Sequence, residues 1–407
     1  MARWLRWPTG AAFLTGAAAT AAVTGTSTLL AQSKPEHAGF IVRLGRDTLA
    51  VEQMARSDRR LESEMALRAP NARRMHYVAE LDNLGRIVRL DLTVRGLGSG
   101  DAGPMLGSIV FRADSAEVTM THGDSTERHR LAAPRGTVPM VAFSQALTEQ
   151  AIRQARRSGG DSVAFAWLPL GSAELLPSFV VRRGKDSADV DFFGDPLHTR
   201  TDNTGRMLGL DGRATTQKVL VTRLKDVNVG AWATAFAQAE QAAGPMGMLS
   251  PRDTVRAEVA GARVIIDYGR PRRRGRTIWG EVVPWERVWR TGANAATQLT
   301  IDADLTIGGA VVPRGSYTLW SVPSPYGGVL IINRQTGQWG TEYDVAQDVA
   351  RVPLEREDLT PPADQFTIAV DPRDGEALLR LGWADAGYVV RIGSAASSGA
   401  GGGRTEN

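Results

Sequence analysis

Apolar and polar residues alternate with a two-residue period along most of the chain after residue 39, which is the pattern of half-buried β-strands. Between residues 39 and 227 the alternating stretches are interrupted by short clusters of Asp, Asn and Gly, which favour tight turns. Three predicted hairpins turn at residues 82–85, 122–124 and 203–205. The pattern therefore predicts an antiparallel β-rich domain over residues 36–227.

One helix interrupts this series of hairpins. Ser144 is a suitable N-cap, apolar residues follow at helical spacing, and Gly159 and Gly160 end the pattern. A single helix among many hairpins predicts a curved, half-barrel-like antiparallel sheet with the helix on its concave side.

The second half of the chain begins with a helix and a linker over residues 228–249, where Gly244 and Pro245 end an alanine-rich stretch. Short strands then resume up to residue 392, and their number and close spacing predict a β-sandwich. The nine predicted strands are 254–259, 264–268, 298–301, 317–322, 329–332, 349–354, 366–370, 377–381 and 388–392. The Gly/Ser-rich tail, 393–407, is predicted to be disordered.

The first 32 residues have the pattern of a signal peptide. Arg3 and Arg6 precede an apolar stretch from 11 to 31, and small residues stand before the polar Gln32 and Ser33. The alternative is an uncleaved membrane anchor, but the stretch is rich in Ala, Thr and Gly, which favours cleavage over a stable span. We therefore expect an exported protein, periplasmic or extracellular, with no stable membrane span after cleavage.

The chain contains no cysteine, which excludes disulfides, thiolate nucleophiles and cysteine–zinc sites. The net charge of +4 is small for 407 residues and gives no argument for a nucleic-acid partner, which calls for a basic stripe on one face. No nucleotide-binding loop or other cofactor motif is present, so we expect no cofactor.

The strongest candidate site is the non-alternating segment from Gly275 to Asn294, which carries several indoles and guanidinium groups. A loop over the end of a sandwich is held by a rigid frame, so its polar side chains can bind a ligand. The predicted ligand-binding residues are Arg276, Trp289, Arg290, Asn294 and Tyr317. Tyr317 also follows a Gly-x-Tyr pattern that places a phenol against nearby backbone.

A second interpretation of this segment stays open. Trp279, Val283 and Trp289 would plug the end of the sandwich, while Arg290 and Asn294 satisfy buried carbonyl groups of the segment itself. The neighbouring run of arginines at residues 270–276 is interpreted as a solvated loop, with an anionic partner as the alternative.

Catalytic groups are scarce. No histidine lies after residue 198, and the spacing of His122 and His129 across a turn is not a zinc pattern, so no metal is expected. No nucleophile elbow of the Gly-x-Ser-x-Gly type occurs. Glu281 is the leading acid/base candidate if the segment hydrolyses a substrate with paired carboxylates.

Eight short stretches give residues 250–392 a resemblance to a bacterial family, domain of unknown function 2911. They are SPR at 250–252, YGRP at 268–271, GRTIWG at 275–280, VWRTGAN at 288–294, AT at 296–297, PRGSYTL at 313–319, FTI at 366–368 and LGW at 381–383. Gly269 stands where the family usually has serine, and Trp285 where tyrosine is common. The resemblance implies an exported β-rich domain and no particular chemistry.

The sequence thus predicts an exported, non-catalytic β-rich binding protein of the bacterial envelope. Its partner would be a small ligand such as an anion, a glycan, or an envelope protein. The alternatives are a carboxylate-dependent hydrolase acting at residues 275–294 and a purely structural envelope component.

Overall fold

The computed structural model of the protein describes residues 34–98 and 103–395. The described residues from Pro35 onward pack as one compact unit that contains two large β-sheets. The predicted mainly-β fold class is confirmed. The predicted signal peptide and nearly all of the predicted tail lie outside the described residues, although the last strand continues to Ser394, two residues beyond the predicted end.

The first sheet has fifteen strands, and eight of them form an antiparallel meander. These eight are β1 (Glu36–Leu44), β2 (Asp47–Arg56), β3 (Arg60–Leu67), β4 (Arg73–Leu81), β5 (Ile87–Gly96), β6 (Met105–Phe111), β7 (Ser115–His122) and β8 (Ser125–Ala132). The others are β9 (Val138–Met140), β10 (Ser162–Pro169), β11 (Leu176–Arg182), β12 (Ser187–Phe192), β13 (Asp195–Thr201), β14 (Met207–Asp211) and β15 (Val219–Leu224). The three predicted hairpins are β4–β5, β7–β8 and β13–β14.

The order of the strands shows that this sheet curls strongly. The order is β8-β7-β6-β5-β4-β3-β2-β1-β15-β14-β13-β12-β11-β10-β9, so β8 and β9 are its two edges. Only residues 133–137 join these edges, a length that spans about 20 Å at most. The edges therefore approach each other without pairing, and the sheet is a curved, unclosed half-barrel.

Helix α1 (Gln145–Ser158) lies on the concave side of this half-barrel. It contacts β2 as well as β9, β10, β11 and β12, strands that are far apart in the order of the sheet. As predicted, Ser144 caps its N-terminus and Gly159 ends it with a φ of 81°. The apolar face of the helix, with Leu147 and Ile152, joins sheet residues such as Phe40 in the main core.

A buried carboxylate on β2 fixes the start of α1. Glu52 is fully buried, and its two oxygens accept five hydrogen bonds. The donors are the hydroxyl groups of Ser63, Tyr77 and Ser144 and the main-chain N–H groups of Gln145 and Ala146. Burial raises the pKa of Glu52, while these hydrogen bonds oppose the rise. A carboxylate at a helix N-terminus also interacts favourably with the helix dipole.

Helix α2 (Val229–Ala243) lies within the predicted helix and linker, ends at Gly244 as predicted, and packs on the opposite face of the same sheet. Its Ala233 and Phe236 contact a small cluster that includes Ile41 of β1 and Val51 of β2. Phe40 and Val42, on either side of Ile41, belong to the concave core. Because successive side chains of β1 point to opposite faces, this strand contributes core residues to both faces of the sheet.

The second sheet has nine strands, in the order β16-β17-β18-β21-β22-β23-β24-β19-β20. Their bounds are β16 (Arg252–Val259), β17 (Ala262–Gly269), β18 (Thr297–Ile301), β19 (Leu305–Ile307), β20 (Ala310–Val312), β21 (Gly315–Ser324), β22 (Gly327–Asn333), β23 (Asp348–Arg373) and β24 (Glu376–Ser394). A 3₁₀ turn at Val345–Gln347 precedes β23. β16 contacts β23 and β24, which are not its hydrogen-bonded neighbours, so the sheet folds over its own core like a sandwich.

The number of strands in this sheet was predicted, but not their identity. The hairpin β19–β20 was missed, and four predicted short strands are halves of β23 and β24. The pairing of these two strands shifts register between Asp358 and Ala363 and again before Thr367. Pro361 and Pro362 therefore lie in a bulge of a continuing strand, where proline is tolerated, and do not end it.

Candidate functional site

The segment between β17 and β18, residues 270–296, is irregular and is anchored to neighbouring strands at isolated points. Trp289 exchanges two main-chain hydrogen bonds with Ser321 of β21, at 2.7 and 2.9 Å. Ala295 forms an isolated bridge with Trp339. The predicted non-strand segment is therefore held in place by the sandwich.

Two glycines allow this segment to approach the end of β17. A Cβ atom on Gly269 would overlap the carbonyl oxygen of Ala293. A Cβ atom on Gly292 would lie 3.0 Å from Thr297 Oγ1 and 3.1 Å from the carbonyl oxygen of Gly269. Glycine at position 269, the departure from the family pattern, is thus required by this close contact.

Thr291 and Asn294 flank this contact in left-handed conformations, with φ of 49° and 64°. Such a conformation is costly for a β-branched residue such as threonine. The Thr291 hydroxyl donates to Ser321 Oγ at 3.0 Å, and its carbonyl accepts from Thr297 Oγ1 at 2.7 Å. These bonds fix the backbone that carries Arg290 and Asn294.

The indoles of the segment pack on the core. Trp279 stacks on Trp285, with ring centroids 6.1 Å apart, and its Nε1 donates to the Trp383 carbonyl at 2.9 Å. Trp289 stacks on Trp383 at 6.2 Å, and Val283 is fully buried. The packing of these side chains therefore agrees with the second interpretation, in which they plug the end of the sandwich.

A cavity of about 330 Å³ lies between this segment and the loops of the first sheet. Its walls include four of the five predicted ligand-binding residues, Arg276, Trp289, Arg290 and Asn294. Lys218 and Asp195 line it from the first sheet, and Trp339 lines it from the loop after β22. Three cationic side chains thus face one space that contains a single carboxylate.

Arg290 has a buried polar atom that nothing in the described protein satisfies. Its Nε is buried and has no hydrogen-bond partner within the described residues. Burial lowers the pKa of Arg290, and the charge of Asp195 only partly opposes this effect. The second interpretation, in which Arg290 satisfies carbonyl groups of its own segment, is therefore not supported by its contacts.

Arg276 and Lys218 complete the positive wall. Arg276 donates from Nε to the Arg273 carbonyl at 3.0 Å, which orients its guanidinium without neutralising it. Burial, followed by the charge of Arg274, lowers the pKa of Arg276 to about 10. Burial also lowers the pKa of Lys218, and the charges of Arg290 and Arg276 lower it further. The cations destabilise one another, so an anion between them would be stabilised.

Asp195 offsets only part of this positive charge, because its charge raises the pKa of Lys218 and Arg290 but burial lowers both by more. Its Oδ2 accepts from the main-chain N–H of Thr216 at 2.8 Å and also from the Thr216 hydroxyl. This carboxylate therefore also fixes the loop before Lys218, and three cations share one negative charge.

Two predicted residues lie outside the cavity. The Tyr317 hydroxyl donates to the Pro313 carbonyl at 2.7 Å, so its predicted contact with backbone is observed and its predicted role in ligand binding has no geometric support. Glu281 is exposed and does not line the cavity. The paired carboxylates that the hydrolase alternative requires are not brought together there.

The arginine run is more ordered than a solvated loop. Arg274 is buried and pairs with Asp47 of β2 at 2.6 Å, which links the two sheets. Arg270 pairs with Asp253 at 2.8 Å and donates to Thr367 Oγ1 at 2.9 Å. The expectation of a solvated loop is wrong for these two residues, because each has a carboxylate partner distant in sequence.

Sequence reasoning missed Lys218, Asp195 and Trp339. They lie more than 40 residues away from the segment along the chain, and no local pattern links them to it. The available signals were that Lys218 is one of four lysines and that Trp339 stands between Gly337 and Gly340 in a turn.

Across residues 34–98 and 103–395, no three His, Asp or Glu side chains are grouped so that they could hold a metal ion. His129 instead lies 2.8 Å from the Ser172 carbonyl through its Nε2. In the same described part of the chain, no helix combines the length and apolar character needed to cross a bilayer.

The solved structures that match this chain include two weakly similar proteins. A DUF1089 family protein from Pseudomonas aeruginosa is 15% identical, with 41% of this chain and 92% of that chain covered and a TM-score of 0.32. A β-barrel-like protein of the domain of unknown function DUF1849 from Brucella abortus is 9% identical, with 48% and 98% covered and a TM-score of 0.32. No curated protein matches the sequence. Residues 250–392 match the family described as "Protein of unknown function (DUF2911)", which confirms the resemblance found in the sequence.

Proposed function

We propose that the protein is an exported binding protein that holds a small anionic ligand in the cavity between its two sheets. The observation that carries this proposal is the convergence of Lys218, Arg276 and Arg290 on one space whose only carboxylate, Asp195, is already hydrogen-bonded. A buried cation without a partner is costly, and an anion that enters the cavity offsets this cost.

The shape and chemistry of the cavity suit a small ligand. Its volume of about 330 Å³ lies at the lower end of the usual range for ligand sites. Arginine presents a planar fork that matches a carboxylate or phosphate, and Asn294 adds an amide for a neighbouring hydroxyl group. Trp339, 40% exposed, offers an indole face at the cavity, which a sugar ring or an alkyl group can cover.

The arrangement supports binding without catalysis. Glycoside hydrolysis by paired carboxylates needs two of them near the reacting bond, and one, Asp195, lines the cavity. Asp195 is held by Thr216, and Glu281 lies elsewhere. Export is supported by the signal-like pattern of residues 1–32.

Isothermal titration calorimetry with phosphate, sulfate, acetate and glucuronate tests the proposal. We expect at least one of these anions to bind the mature protein with one site, and Arg290→Ala to weaken binding at least tenfold, since charge-assisted hydrogen bonds contribute about 1.5–3 kcal/mol. Arg287→Ala is the matched control, because Arg287 is exposed on the same segment and does not line the cavity. Equal loss in both variants, or no binding of any of the four anions, would refute the proposal.

A further inference from the structure

A second cavity, of about 230 Å³, lies inside the half-barrel between α1 and the concave face of the first sheet. Apart from Ser144, Gln145, Thr148 and Gln217, its lining side chains are apolar. They include Leu147 of α1, Trp167 of β10, and residues of β1, β14 and β15 such as Val42, Leu210 and Val221. A well-packed core has few spaces of this size, so the cavity needs an explanation.

The apolar cavity adjoins the cationic one. Gln217 lines both. On β1, Leu44 lines the cationic cavity and Val42 lines the apolar cavity, and two residues of a strand span only about 7 Å. On the neighbouring strand β15, the first residue, Val219, lines the apolar cavity, and Lys218 directly before it lines the cationic cavity. One elongated ligand can therefore reach from one cavity into the other.

An exposed aromatic pair marks the boundary between the two cavities. Phe193 lines the apolar cavity and stacks on Trp339 of the cationic cavity, with ring centroids 6.4 Å apart. Phe193 is 49% exposed and has a left-handed φ of 57°, which is uncommon for a bulky residue. Such a side chain on a turn can move without disturbing the core.

We infer that the ligand is an amphipathic anion with a carboxylate or phosphate head and a single alkyl chain. The head lies among Lys218, Arg276 and Arg290, and the chain passes Phe193 into the apolar cavity under α1. This inference rests on the proposed anion site and adds the chemical class of its ligand. A small anion would fill only the cationic cavity and an apolar ligand only the apolar one, whereas an amphipathic anion fills both adjoining cavities.

The size of the apolar cavity sets the expected dependence on chain length. Each methylene group that leaves water contributes up to about fourfold in affinity. A cavity of about 150 Å³ holds benzene, so a cavity of 230 Å³ accommodates roughly eight to ten carbons. Affinity should therefore rise steeply from acetate to decanoate and level off for longer chains.

Calorimetry with acetate, hexanoate, octanoate, decanoate and myristate, each below its micelle-forming concentration, tests this inference. Leu210→Trp fills the apolar cavity from β14, and Val219→Phe fills it from β15 if the first variant folds poorly. Leu208→Trp is the matched control, since Leu208 is 40% exposed on the same strand and does not line the cavity. We expect the filling variants to abolish the gain with chain length and to leave acetate binding unchanged, and the control to bind like the unchanged protein.

Two outcomes would overturn the inference, and they differ from failure of the anion site. If decanoate binds no more tightly than acetate while Arg290→Ala still weakens both, the anion site stands and the alkyl chain has no site. If decanoate binds equally well to the unchanged protein and to Arg290→Ala, the two cavities do not share a ligand. Failure of every anion to bind, short or long, would instead refute the proposed function itself.

Discussion

Replacing Arg290 with methionine separates a ligand-binding role of this residue from a structural one. Methionine keeps the unbranched apolar stem, which packs close to Gly340, and removes only the guanidinium. Within the described residues Arg290 has a buried Nε without a partner, and burial lowers its pKa by more than the charge of Asp195 raises it, so the protein's own contacts stabilise this charge only in part. Removing a buried charge in favour of an apolar group is often neutral or stabilising.

The expected change in the free energy of unfolding is therefore between zero and a gain of about 1 kcal/mol. A gain of this size raises the thermal midpoint of a domain of about 150 residues by roughly 2–4 °C. If the guanidinium instead satisfied carbonyl groups of its segment, each orphaned group would cost about 1–3 kcal/mol.

Urea unfolding followed by tryptophan fluorescence measures this difference. Six of the ten tryptophans lie between residues 250 and 392, so the signal reports mainly on the second sheet. Arg287→Met controls for the loss of a surface charge from the same segment. A loss of 2 kcal/mol or more for Arg290→Met, with little change for Arg287→Met, would refute the assignment of Arg290 to a ligand and show that it supports the fold.

Three further predictions concern the packing and the charge of the site. Gly269→Ser should lower the free energy of unfolding by about 1–3 kcal/mol in urea titrations, because its Cβ overlaps the Ala293 carbonyl; a neutral effect would contradict the close contact described. Glu52→Ala should cost at least about 3 kcal/mol, since three donors at the start of α1 and the hydroxyl groups of Ser63 and Tyr77 lose their acceptor, and near-native unfolding curves would contradict this role. Anion affinity measured by calorimetry should fall as the pH rises from 8 to 10.5. The pKa of Lys218 is lowered and that of Arg276 is about 10, so both side chains lose their positive charge at a lower pH than usual. Constant affinity across this range would exclude both from the site.

The elements with strong local signals could be predicted from the sequence. Ser144 and Gly159 bound α1 as predicted, because capping is decided by the residues at the helix ends. The hairpins of the first sheet follow from turn residues between alternating stretches in the same way. In contrast, two short strands were predicted at 349–354 and 366–370 where β23 continues through a bulge at Pro361 and Pro362, since only pairing with β24 decides whether the strand ends.

In the candidate site, too, residues with a local sequence signal could be predicted and residues placed by distant contacts could not. Arg276, Trp289, Arg290 and Asn294 could be found because they share one short segment of unusual composition. Lys218 and Asp195 could not, because the contact between the two sheets brings them to the segment and no sequence pattern records that contact. Tyr317 was predicted both to bind a ligand and to contact nearby backbone. The structure shows the backbone contact, a hydrogen bond from its hydroxyl to the Pro313 carbonyl.

Anomalous diffraction from a crystal of the protein soaked in selenate tests the presence of an anion site between the two sheets most directly, because the selenium atom reports its own position. We predict a strong peak in the cavity, within hydrogen-bond distance of Arg290 and facing Arg276 and Lys218, and no peak there in Arg290→Ala crystals. Peaks confined to exposed arginines such as Arg287, with the cavity empty at saturating selenate, would contradict the account.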